Sequence, residues 1–329
     1  MNRWIWRAAR VCAALCWLLP TAFADVAPRV DGIATLPRPT GLHPVTRATF
    51  EWTDTTRTEP SAHEATAKRK LRVLAWYPAR ADGDLVPGSE KFPVLIMGPG
   101  LGFQPTDYSA LAGDLASHGY VVLGVATSDG RRRQVEELVG LRVADERFVL
   151  DQLSRRDEFP GRFAGRLDLE RIGLFGHSFG GAIALEVCRI DSRCKAGANL
   201  DGYPYVHAEG PAAVKPSMFL WSEPVSAADP AWRQAVRDAR RLTRQTPHGG
   251  YHLWIKGTRH LSFADRAVSG GIGTIDARRG LHVAAAYVRM FFDRHLLGRE
   301  ASALEGNASE YPEVSALELD GGARPAHGR

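Results

Sequence analysis

Residues 176–180 read Gly176-His177-Ser178-Phe179-Gly180, a serine with glycine two positions away on either side. The preceding run Ile172-Gly173-Leu174-Phe175 is compact and apolar, as a buried strand is, and Ala182-Ile183-Ala184-Leu185-Glu186 after it favours helix. A serine on so sharp a strand-to-helix bend needs those glycines, because a Cβ at either would collide with the adjoining elements. The bend turns the hydroxyl out of the sheet. The next backbone N–H, Phe179 at the helix N-terminus, then faces any negative charge that develops beside it. These are the requirements of a nucleophile, and Ser178 is the expected attacking oxygen. His177 reads as structural, since the neighbouring hydroxyl is turned away from it.

A serine hydroxyl needs a base, and the base needs an orienting carboxylate. The histidines after Ser178 are 207, 248, 252, 260, 282 and 295. His260, in Gly257-Thr258-Arg259-His260-Leu261-Ser262-Phe263, follows the last strong strand on a loop expected at the carboxyl edge of the sheet, where the bend also opens. His252 begins that strand at its other end, and His282 and His295 fall on or beside the last helix. The base is expected at His260. Two carboxylates could orient it: Asp201, after Ala196-Gly197-Ala198-Asn199-Leu200, and Glu223, after Met218-Phe219-Leu220-Trp221. Both loops leave the correct edge, and position alone leaves the choice open.

The elements that must position these groups alternate along the chain. Strands are expected at Thr46–Thr53, Leu71–Tyr77, Phe92–Met97, Tyr120–Val125, Arg171–Phe175, Ala196–Leu200, Met218–Trp221 and Tyr251–Lys256. Helices are expected around Tyr108 to Leu115, ended by Gly119, and over 138–153, 179–189, 230–244 and 283–297. Asp54 to Lys70 reads as an exposed connection. Such alternation predicts an α/β class: a mostly parallel sheet with helices on both faces, in a single domain over residues 45–298. The stretch 299–329, with few large apolar residues, reads as a loosely ordered C-terminal tail.

Residues 1–24 carry Arg3, Arg7 and Arg10, a short apolar run from Val11 to Leu19, and Ala22-Phe23-Ala24 before Asp25. That is the pattern of a signal peptide cleaved near Ala24, and the run is shorter than the roughly 20 residues a bilayer span needs. It predicts a secreted or periplasmic protein with no stable membrane span after processing, joined to its domain by a linker over 25–44. The net charge of +5 is partly the leader's, since three of 42 basic residues lie there, leaving 39 against 37 acidic ones. A balance of +2 without a basic stripe argues against a nucleic-acid partner. Cys188 and Cys194 remain after cleavage, six residues apart. An oxidising compartment predicts a disulfide between them, closing a helix-to-strand turn. No metal-ligand spacing and no cofactor motif stands out, so none is expected.

The pieces Gly100-Leu101-Gly102, Gly176-His177-Ser178-Phe179-Gly180-Gly181, Leu200-Asp201-Gly202 and His260-Leu261-Ser262-Phe263-Ala264-Asp265 resemble the platelet-activating factor acetylhydrolase family. The likeness runs in order from about Arg72 to Gly298, with Asp201 placed 23 residues after Ser178. It implies an α/β-hydrolase fold and a serine ester hydrolase working through an acyl-enzyme on short-chain or small esters. It also implies Asp201 as the acid, and a second backbone donor to the developing oxyanion at Leu101, paired with Phe179. Pro99 stands where that family often has His. Polyester-degrading, cutinase-like enzymes with a similar bend, and a catalytically silent binding protein on the same fold, are the competing readings. Phe103, Trp221 and Phe263, with Tyr203, lie beside the assigned loops and are the expected apolar lining of a site for a small-molecule ester.

Overall fold

The computed structural model describes residues 35–59, 66–88, 90–128, 134–155, 161–204, 213–226, 229–246, 250–306 and 308–317. The expected leader over 1–24, the first half of the linker over 25–44, His207, His248 and the end of the tail lie outside the described residues. Among the described residues, no helix is long and apolar enough to cross a membrane.

Nine strands form one sheet among the described residues: β1 (Val45–Thr58), β2 (Lys68–Pro78), β3 (Phe92–Gly98), β4 (Val121–Val125), β5 (Leu167–His177), β6 (Cys194–Leu200), β7 (Ser217–Ser222), β8 (Tyr251–Ile255) and β9 (Val314–Ala316). Their order is β1-β2-β4-β3-β5-β6-β7-β8-β9. The run from β4 to β8 is parallel, while β1, β2 and β9 join antiparallel at the two edges. The helices are α1 (Ser109–Ser117), α2 (Val135–Ser154), α3 (Phe179–Ile190), α4 (Pro230–Thr243), the short α5 (Ala267–Gly270) and α6 (Ala277–Leu297).

The pleat divides each central strand between two cores. Leu95 and Met97 of β3 pack with α1 and α6, while Val94 and Ile96 pack with α2 and α3. Both faces of these strands are buried, so their sequences are continuously apolar rather than alternating. A third cluster sets Phe219 and Trp221 of β7 against Ala235, Val236 and Ala239 of α4. Cys188 and Cys194 are bonded, their sulfurs 1.98 Å apart, across the turn from α3 into β6.

Two expectations of the fold differ from the structure. Asp54 to Lys70 is not all exposed connection, because β1 runs to Thr58 and β2 starts at Lys68. There the buried Arg69 donates to both oxygens of Asp145, and Asp54 pairs with Arg57. The segment after Gly298 is no loose tail as far as Leu317. Ala301, Leu304, Tyr311 and Val314 fill the core beside α6, and β9 adds backbone hydrogen bonds to β8. The linker is also pinned at its end: Thr40 donates to Asp114 and Gly41 N–H to Ser117 Oγ, both on α1.

Candidate active site

Strand β5 delivers Ser178 to the carboxyl edge of the sheet and α3 starts at the next residue. The serine sits at φ 55°, ψ −123°. Only two described non-glycine residues have positive φ, Ser178 and Asp201, each at 55°. Such a conformation costs on the order of 1–3 kcal/mol and persists where its surroundings enforce it. They do so here. A Cβ on Gly180 would lie 2.1 Å from the Gly98 carbonyl oxygen, so β3 and α3 close on the bend only because that side chain is absent. Ser178 N–H donates to Leu200 O at 2.8 Å, which locks the bend to the end of β6.

Asp201 follows immediately, on its own tight turn. Asn199 holds that turn from inside, accepting Gly202 N–H at 2.7 Å and donating to Gly202 O at 3.1 Å. A Cβ on Gly202 would lie 2.2 Å from Ser178 O, so glycine is required where the two turns touch. The Asp201 carboxylate accepts Ser222 N–H on Oδ1 and the Ser222 hydroxyl on Oδ2, both at 2.8 Å. These donors aim the remaining face of the carboxylate at the His260 loop.

His260 opens a 3-10 turn, His260–Phe263, after β8. Its Nδ1 lies 2.8 Å from Asp201 Oδ2 and its Nε2 lies 3.0 Å from Ser178 Oγ. A carboxylate can only accept, so Nδ1 carries the proton and Nε2 is free to accept the serine hydroxyl. Ser178, His260 and Asp201 thus form one hydrogen-bonded line. Glu223 is elsewhere: its Oε2 accepts Gly257 N–H at 3.0 Å and lies 3.5 Å from Arg259 Nη1. His252 bonds Thr243 and stacks on Phe219, His282 lies against Tyr311, and His295 bonds Tyr251. The histidines described after Ser178 other than 260 are therefore engaged away from it.

The loop after β3 comes next to the serine. Tyr108 hydroxyl accepts Gly100 N–H at 3.1 Å, Arg142 donates to Pro99 O at 2.6 Å, and Phe103 N–H closes a turn onto Gly100 O. Leu101 and Phe179 are both half-buried on this rim. The expected lining residues divide. Phe103 is half-buried with the Arg266 guanidinium 3.9 Å from its ring centre, at the edge of the site. Trp221 and Phe263 are each 1% exposed and belong to the cores, against α4 and α6 respectively, so they offer a ligand no open surface. In β7 the pleat sends Trp221 to the same side as Phe219, where the two rings stack 5.3 Å apart. Tyr203 is half-buried against the α4 cluster.

Two buried groups lie beneath the bend. His177 is enclosed: its Nδ1 is 2.9 Å from the Tyr108 hydroxyl and its Nε2 is 2.8 Å from His260 O. Burial, with the nearby His260 adding, lowers its pKa to about 3, so it is neutral. The sequence reads His177 as structural and Tyr108 as a helix residue. Nothing in their spacing shows that the fold would bring their rings together, 5.7 Å apart. Glu146 of α2 is also enclosed, with Oε2 lacking a hydrogen-bond partner among the described residues. Burial pushes its carboxyl up to about 8 from an ordinary 4.5, against the pull of Arg142.

The native state therefore keeps a proton on Glu146 that the unfolded chain loses, and this share of stability falls as pH rises from about 4.5 to 8. Glu146→Gln should cancel it. In urea unfolding, the variant's advantage over the parent should widen between about pH 5.5 and 8.5. An advantage that stays constant or shrinks would count against a protonated Glu146.

The model for platelet-activating factor acetylhydrolase, isoform II, matches residues 65–132 and 156–276. A "Probable 1-alkyl-2-acetylglycerophosphocholine esterase" of Arthroderma benhamiae is 29% identical over 302 residues, covering 77% of this chain and 73% of that one. The platelet-activating factor acetylhydrolase of Cavia porcellus is 26% identical over 238 residues, 57% of this chain and 51% of its own. A solved ferulic acid esterase from Streptomyces cinnamoneus superposes with a TM-score of 0.73 at 27% identity, over 85% of this chain and 98% of that one. The sheet order, the helices on both faces and this likeness make the fold that of the α/β-hydrolases. With more than half of its residues matched, the chain belongs to the platelet-activating factor acetylhydrolase, isoform II, family of carboxylic ester hydrolases.

Proposed function

We propose that this protein hydrolyses short-chain or small carboxylic esters through an acyl-enzyme on Ser178, with His260 as general base and Asp201 as its orienting acid. The observation that carries the reading is the hydrogen-bonded line from Asp201 Oδ2 through both nitrogens of His260 to Ser178 Oγ, 2.8 and 3.0 Å long. His260 Nε2 takes the hydroxyl proton as Oγ attacks the ester carbon. The oxyanion then accepts Leu101 and Phe179 N–H, which face charge that exists only along the reaction path. As the carbonyl reforms, His260 returns its proton to the departing alcohol. Water attacks the acyl group by the same route, releasing the acid and restoring the serine.

Phe103, its ring 6.0 Å from that of His177, and the half-buried Leu261 next to His260 support a site for a small apolar acyl or alcohol group. The relatives' names bring two ester types to this chain: an acetyl group on a glycerophosphocholine and a feruloyl group. The acetyl reading is favoured, since the family match covers the site loops. The disulfide fits a secreted or periplasmic protein, with residues 1–24 as its signal peptide. A fluorophosphonate should label Ser178 alone, with turnover falling in proportion to label. In a p-nitrophenyl ester series, kcat/KM should be highest for acetyl to butyryl and fall for longer acyl chains. Labelling at another residue would overturn the nucleophile, and a preference for long chains would overturn the substrate class.

A further inference from the structure

We propose that Tyr108 and His177 are positioning residues, a buried brace that holds the Leu101 donor loop and the His260 loop in register around Ser178. This rests on the triad reading given above.

The chain of hydrogen bonds has a direction. A backbone carbonyl only accepts, so His177 Nε2 carries a proton and gives it to His260 O, 2.8 Å away. Neutral His177 then has an unprotonated Nδ1, which accepts the Tyr108 hydroxyl at 2.9 Å. The tyrosine oxygen in turn accepts Gly100 N–H at 3.1 Å. Each hydrogen bond has one direction that its neighbour fixes. The brace begins at the residue before Leu101 and ends on the main chain of His260. Its middle member is the residue before Ser178. It thus ties together loops from β3, β5 and β8, the three that a triad and its oxyanion donors must share.

Packing alone does not explain this chemistry. Tyr108 and His177 are 1% exposed, and an apolar pair of similar shape would fill the space without needing partners. A charged His177 would also be unsuitable. Its ring lies 4.7 Å from that of His260, where a cation would oppose the imidazolium that forms during attack. Nδ1–H would meanwhile require the tyrosine hydroxyl to turn its proton away and accept, undoing the direction of the chain. The same loops have a second tie, since Asp265 accepts Ser109 and Ala110 N–H at 2.7 and 3.1 Å. Cutting the brace therefore leaves them attached, and the fold can survive the variants.

The test uses the full chain and p-nitrophenyl acetate, with kcat expressed per site titrated by fluorophosphonate. Tyr108→Phe, which removes one oxygen, should lower kcat about tenfold with KM within about twofold. His177→Leu should lose at least as much. The double variant should match His177→Leu, because a chain already cut cannot be cut again. His177→Gln, whose amide can both donate and accept, should recover part of the loss. A Tyr108→Phe kcat per site within about twofold of the parent would overturn the brace. So would single losses that multiply in the double variant, a loss confined to KM, or a glutamine no better than leucine. Ser178→Ala separates the two readings: undiminished turnover there sinks both, whereas an inactive Ser178→Ala beside a fully active Tyr108→Phe sinks only the brace.

Discussion

Ser178→Ala should reduce ester turnover to the background of an unassisted active-site surface, a loss on the order of 10⁶-fold in kcat. The size follows from what the hydroxyl does and what its removal leaves. Without Oγ there is no acyl-enzyme, and His260 Nε2 has only water to activate. The donor N–H groups of the rim still face the bound ester, which accounts for a residual acceleration. The folded state should hardly notice. The Ser178 side chain makes no capping hydrogen bond to the helix it starts. Its backbone, at φ 55°, is as strained for serine as for alanine. Thermal unfolding of the variant should therefore coincide with the parent within a few degrees, which separates loss of chemistry from loss of structure. Turnover of p-nitrophenyl acetate equal in the two proteins would leave the ester-hydrolase reading without a nucleophile.

Much of this site could be read from residue types, and the limits of that reading are physical. The bend around Ser178 is legible because its constraints are local: an apolar strand, two glycines, and a helix-forming run. The fold class is legible for a related reason, since strands buried on both faces must be continuously apolar. His260 follows from topology, because a loop at the carboxyl edge after β8 has few other places to go. Asp201 and Glu223 are different. Both leave the same edge one strand apart, and they are distinguished by which way the carboxylate turns. Ser222 N–H and its hydroxyl turn Asp201 toward His260, while Gly257 N–H turns Glu223 away. Those donors come from other strands, and no local pattern announces them.

The misplacements have the same origin. Trp221 was expected at the site because it lies near the end of β7, yet the two-residue period of that strand gives it the side of Phe219. Counting from Phe219, with α4 rich in small residues to receive both rings, would have found this. Phe263 turns inward with its 3-10 turn. Arg69 and residues 301–316 were missed for want of partners in the nearby sequence. The arginine is buried by Asp145, on a helix far along the chain, and the terminal segment by the edge of β8. His177 is the clearest case. Its position beside Ser178 fixes where its backbone goes, but its function depends on Tyr108 and on a carbonyl 83 residues later.

Asp201→Asn should cut kcat by about 10⁴-fold, with Glu223→Gln leaving it within about threefold. The asparagine fits its site, since its short polar side chain tolerates the left-handed backbone held here at φ 55°. What fails is the proton pattern. In the parent, three donors converge on one carboxylate: Ser222 N–H, the Ser222 hydroxyl and His260 Nδ1–H. An amide offers a single oxygen. Ser222 N–H cannot reverse its role, so it keeps that oxygen, and the NH₂ group is left facing the hydroxyl and the imidazole. The hydroxyl can rotate to accept. The imidazole must present a bare Nδ1 to the amide, which moves its proton to Nε2, where it blocks acceptance from Ser178. The carboxylate charge that steadies the imidazolium is gone as well. In Glu223→Gln, by contrast, the amide oxygen can still take Gly257 N–H, and only the half-exposed Arg259 loses a charge partner. Steady-state rates of the two variants on p-nitrophenyl acetate decide the matter. A severe loss in Glu223→Gln beside a near-normal Asp201→Asn would transfer the acid's role to the later strand.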